Sequence, residues 1–98
     1  MSQHIFKTNN SEGARVIVTM GYDRPLDYVF CTVMSTEGEV IYSNLNDDHA
    51  GTDQQEIDYY RPVLKRLGVR VPEFLFREVV LDQLGRVGNR VVTYVADR

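Results

Sequence analysis

The chain has one cysteine, no tryptophan, two histidines and three prolines in 98 residues. Each shortage closes off a class. A lone thiol, Cys31, forms no intrachain disulfide, so a disulfide-stapled secreted scaffold is excluded. Its place in an apolar strand pattern reads as a buried thiol, and a reducing compartment fits. Two histidines and one cysteine are too few for a zinc site of the usual kind. No apolar run approaches the roughly 20 residues of a membrane span. Met1-Ser2-Gln3-His4 shows no basic region ahead of an apolar run, so no signal peptide is expected and the cytoplasm is the expected location. Excess positive charge is lacking too. Eleven Lys and Arg stand against fourteen Asp and Glu, for a net charge of −3, which argues against nucleic acid as a partner.

What is present suffices for one core, without repeat, low-complexity segment or linker. Residues 1–98 read as a single domain whose first few residues are flexible. Charge is uneven: residues 1–50 hold three basic and seven acidic side chains, the remainder eight and seven.

The patterning then predicts elements. His4 to Thr8 suits a short strand, and Asn9-Asn10-Ser11-Glu12-Gly13 is a run of turn formers. From Ala14 to Tyr22, Val16, Val18, Met20 and Tyr22 alternate with Arg15, Ile17, Thr19 and Gly21, a strong strand signal. Asp23-Arg24-Pro25-Leu26-Asp27 breaks it, because proline removes a ladder donor. Tyr28 to Met34 is apolar on both faces and is expected at the centre of the sheet. Thr36-Glu37-Gly38-Glu39 is a hairpin turn into Val40–Ser43. A polar loop over residues 44–52 leads to Asp53-Gln54-Gln55-Glu56, the pattern of a capping box with Asp53 at the N-cap and Glu56 at N3. Ile57, Tyr60, Val63, Leu64 and Leu67 follow at helical spacing, closed by Gly68. Pro62 inside that spacing predicts a kinked or two-part helix. A second helix opens at Pro72, placed at N1, and carries Leu75, Phe76, Val79, Val80 and Leu84 to Gly85. Arg90 to Ala96 is a last strand. The fold class is α+β: an antiparallel meander of three to four strands, two helices packed on one face, and a C-terminal strand.

Chemistry-bearing motifs are sparse. Asn46-Asp47-Asp48-His49, with Asp53, has metal-ligand residue types but not the spacing of a calcium loop, so neither a metal nor a cofactor is expected. His4 and His49 pair with no nucleophile in any recognisable pattern. Gly85-Arg86-Val87-Gly88 lacks the spacing of a phosphate loop and reads as a helix stop plus a turn. Arg61, Lys65, Arg66 and Arg70 form a basic patch that suits phosphate or an acidic partner, or simply a solvated helix face. The corner Tyr22-Asp23-Arg24-Pro25 mixes aromatic, acidic and basic residues, as recognition loops do; turn geometry explains the same residues.

Gly21-Tyr22-Asp23-Arg24-Pro25-Leu26, Tyr42-Ser43-Asn44-Leu45 and Val87-Gly88-Asn89-Arg90 together resemble a family of small uncharacterised bacterial proteins with the pattern G-[YW]-D-R-P-L … Y-S-N-L … G-N-R. The resemblance implies a bacterial origin and a compact α+β domain. It brings no activity and no catalytic residues.

Function is therefore an expectation built on the corner. The first reading is a non-enzymatic interaction or regulatory module that binds another protein there. The second is a small protein or enzyme for an anionic ligand, its site between Tyr22–Leu26 and Asn44–His49, with Arg24 on the anion and His49 or Asp47 as acid or base. The candidate binding residues are Tyr22, Asp23, Arg24, Tyr42, Asn44 and His49. Self-association through a sheet edge is the third reading.

Overall fold

The structure is a computed structural model that describes residues 1–50 and 56–95. Five strands form one sheet: β1 (Ser2–Asn9), β2 (Arg15–Asp23), β3 (Tyr28–Ser35), β4 (Val40–Ser43) and β5 (Arg90–Val95). A 3-10 turn over Ile57–Tyr60 runs into α1 (Arg61–Arg66), and α2 spans Glu73–Leu84. The spatial order is β4-β3-β2-β1-β5. The class is α+β, but the sheet is mixed: β1 to β4 pair antiparallel, and β5 runs parallel to β1 from Ser2↔Arg90 to Lys7↔Val95. A pure antiparallel sheet is thus corrected. The helices carry the chain from β4 at one edge to the far side of β1, where β5 runs opposite to β4 and therefore parallel to β1.

Three further expectations change. The centre of the sheet is β2, not Tyr28 to Met34, because β5 joins the far side of β1 and shifts the middle by one strand. The first residues are not a loose end: Ser2 and His4 are fully buried, and β1 is paired on both sides. Pro72 is the N-cap of α2 rather than its first helical residue. The helical stretch before Gly68 is in two parts, and Pro62 falls in the first turn of α1, where its missing N–H leaves no bond broken. Asp53 of the expected capping box lies outside the described residues, as do Gly51, Thr52 and Ala96.

The core lies between one sheet face and the helices. Phe6, Val18, Met20 and Cys31 from the sheet meet Ile57, Tyr60, Leu64, Leu75 and Val79. Burial pushes the Cys31 thiol up to about 12, so it is an inert core group. On the opposite face Phe30 lies across Gly21, its strand partner, and remains only 8% exposed. A Cβ at Gly21 would stand 1.9 Å from the Ser2 carbonyl oxygen, so only glycine lets β1 and β2 close there.

Candidate ligand-binding groove

The end of β1, the hairpin that follows it and α1 enclose a groove of about 630 Å³, within the usual range for small-molecule sites. Two built loops form it. Asn10 organises the first: its Oδ1 accepts from the N–H groups of Glu12 and Ala14, both at 2.9 Å, and its own N–H donates to the Ala14 carbonyl at 2.8 Å. The second is the end of α1. Gly68 adopts a left-handed φ of 71°, the Val69 N–H donates back to the Leu64 carbonyl at 3.0 Å, and the chain turns out of the helix. An isolated bridge between Asn10 and Val69 ties the loops together. Gly68 is required twice over, since a Cβ there would fall 2.2 Å from the Ser11 Oγ.

The lining is two-sided. Leu64, Val69, Val71 and Phe76 supply an apolar wall; Thr8, Asn9, Asn10 and Ser11 supply hydroxyl and amide groups. Three cations stand over it, Arg61, Lys65 and Arg70. Arg61 is already committed. It donates to both Glu73 oxygens at 2.9 and 2.6 Å and to Asp58 at 2.5 Å, and its guanidinium lies 4.0 Å from the Phe76 ring centre. The Glu73 and Asp58 hydrogen bonds hold the guanidinium well above its ordinary value. It works as a clamp between α1 and α2. Lys65 and Arg70 are exposed, and among the described residues neither has a carboxylate partner. The lining contains no carboxylate at all, so its charge is wholly positive. Of the basic patch, Arg61, Lys65 and Arg70 come to the groove, and Arg66 is not part of it.

The corner residues lie at the opposite end of the sheet. Tyr22 is fully buried and donates its hydroxyl to Asp27 Oδ1 at 2.5 Å; that hydrogen bond, then burial, raises the phenol above its ordinary value. Asp23 is buried too, and its Oδ1 accepts from the Leu26 N–H three residues on, at 3.2 Å, which closes the turn. Arg24 is exposed. The text that looked like a motif converges here. Arg86 reaches Asp27 at 3.3 Å, the Arg24 guanidinium nitrogen lies 3.6 Å from where a Cβ would stand on Gly88, and the Met1 amino group donates to Asn89 at 3.2 Å. The Arg86–Asp27 pair joins the β2–β3 turn to the α2–β5 connection, and the Met1 amino group joins the start of the chain to that same connection.

Tyr42, Asn44 and His49 belong to a separate cluster. Tyr42 and Tyr59 both donate their hydroxyls to Asp47 Oδ2, at 2.7 and 2.9 Å, and the His49 N–H donates to Asp47 Oδ1 at 3.0 Å. Together these bonds, that of Tyr42 first, hold the Asp47 carboxyl below the ordinary range. Asn44 is buried in a 3-10 turn over Asn44–Asn46. The structure thus gives Asp47 a bracing role in its loop.

One constellation escapes sequence reading. His4 and Asp82 meet in the core, and Arg90 donates to the other Asp82 oxygen at 2.9 Å. The available signal was the alternation Ser2, His4, Phe6, Thr8, which places His4 on the core face. Among the described residues no group of three or more His, Cys, Asp and Glu could hold a metal, and no helix is long and apolar enough to cross a membrane.

Compared with family models, curated proteins and solved structures, the chain finds no match. The resemblance to small bacterial proteins therefore stands on its motif pieces alone.

Proposed function

We propose that the protein is a binding module that holds a small anionic ligand with an apolar body in the groove between the β1–β2 hairpin and α1. The observation that carries this reading is the pairing of two uncommitted cations, Lys65 and Arg70, with an apolar wall in a cavity free of carboxylates. An anion between Lys65 and Arg70 gains charge-assisted hydrogen bonds, and Leu64, Val69, Val71 and Phe76 remove the ligand body from water. The ligand class is that of the second expectation from the sequence, and this reading puts the site at the groove instead of the Tyr22–Leu26 corner. At that corner Tyr22 and Asp23 are already bonded within the turn, to Asp27 and to the Leu26 N–H.

A thermal-shift titration tests the proposal, because a ligand of the folded state raises the melting temperature. Phenyl phosphate and hexanoate should raise it, and neutral hexanol should not. The double variant Lys65→Glu/Arg70→Glu, at two exposed positions, should fold normally and lose the response. A rise that survives this charge reversal would refute the groove as the anion site.

A second reading keeps the corner as a protein-binding surface. It is favoured by one feature: Leu26, 64% exposed, stands beside exposed Arg24. A pull-down in which Arg24→Ala and Leu26→Ala leave the captured proteins unchanged would remove it.

A further inference from the structure

The sheet has two edges, and they are treated differently. β4 is four residues long, its register with β3 shifts between Val33 and Met34, and it ends in a 3-10 turn. Shortness and an irregular register are the usual guards against adding a strand. β5 has neither. Its six residues pair with β1 without a shift, and they include no proline, glycine or lysine. Its one charge, Arg90, is turned inward onto Asp82 and Glu78. Among the described residues, the outward backbone groups of β5 have no backbone partner.

We infer that the outer edge of β5 pairs with β5 of a second copy, antiparallel about a two-fold axis at Thr93. The strand is self-complementary in that register. Val91, 65% exposed, falls opposite the partner's Val95, 60% exposed in the same monomer face. Thr93 meets Thr93, and Val92 on the helix side meets Tyr94. Each of these is a favourable cross-strand pair, and every residue keeps its own face, as an in-register pairing requires. Phe74, edge-on to Tyr94 at 5.3 Å and 37% exposed, stands beside the seam. The two sheets become one of ten strands, and both unguarded edges vanish. The groove at α1 is not involved, so this inference is independent of the ligand proposal.

Light scattering coupled to size exclusion should show a concentration-dependent dimer. Val95→Lys, which places a charge at the edge without touching the core, should fold by circular dichroism and run as a monomer. Oxidative cross-linking reads the register. Thr93→Cys should form a disulfide-linked dimer, because the two positions meet at the axis. Val91→Cys should not, because the two copies of residue 91 stand about 14 Å apart in this register. Cys31 is buried and silent. A wild-type monomer at every concentration up to millimolar, a dimer indifferent to Val95→Lys, or equal cross-linking at 91 and 93 would overturn the inference.

Discussion

His4 Nε2 lies 2.6 Å from Asp82 Oδ2, with both side chains buried and the two residues 78 positions apart in the chain. The pair ties the first strand to α2, and Arg90 from the last strand completes it. The three terminal elements of the core are thereby held at one carboxylate. Burial alone would push the Asp82 carboxyl up. Hydrogen bonds from His4 and Ser2, the His4 charge and Arg90 together outweigh burial and leave it below its ordinary value. A carboxyl depressed on folding stabilises the protein above its unfolded value and loses that contribution as pH falls through the folded one. Asp82→Asn should therefore flatten the acid limb: its urea midpoint should fall less than that of the wild type between about pH 5 and about pH 2. Asp82→Ala, which strands His4 and Arg90, should cost about 3–5 kcal/mol at neutral pH.

Arg86 closes α2 with a left-handed φ of 49°, one residue after the glycine that would take this conformation most readily. Its compensation is a salt bridge to Asp27 at 3.3 Å, and both side chains are more than half exposed. Such exposed pairs contribute little. Arg86→Gly should raise stability by about 1 kcal/mol in chemical denaturation.

Gly21→Ala tests the closest backbone approach in the sheet. The added Cβ would meet the Ser2 carbonyl and the Phe30 ring. Neither moves without parting β1 from β2, so a loss of about 3 kcal/mol is expected, read as a lower urea midpoint.

At the corner, Tyr22→Phe should cost about 1 kcal/mol by removing the hydroxyl bond to Asp27. Arg24→Ala, at an exposed position, should change stability by less than about 0.5 kcal/mol. A larger loss at Arg24 than at Tyr22 in the same denaturation series would contradict the turn-bracing account.

Much of the fold is written in local pattern. The alternation of Val16, Val18, Met20 and Tyr22 marks β2 because one face meets the core. Gly68 marks the end of α1 because the chain reverses there. What local pattern does not carry is pairing at long range. Nothing near Arg90 says that it lies beside Ser2, and without that pairing the sheet appears antiparallel and β3 central. His4 was obscure for the same reason: its partners, Asp82 and Tyr94, are supplied by the far end of the chain. The Tyr22–Pro25 corner misled by composition. Tyr22 and Asp23 are bonded within the turn, to Asp27 and to the Leu26 N–H, and Arg24 is exposed. The basic patch was legible, but its significance was not, since the groove exists only where Asn10 bridges to Val69.

The central claim is that an anion binds between Lys65 and Arg70, and amide chemical-shift mapping tests it most directly. Titrating phenyl phosphate into the isotope-labelled chain should move the amides of Thr8 to Ser11 and Lys65 to Val71, and leave those of Tyr22 to Asp27 and Tyr42 to His49 in place. Shifts confined to the Tyr22–Asp27 corner, or none in the groove at saturating phenyl phosphate, would contradict it.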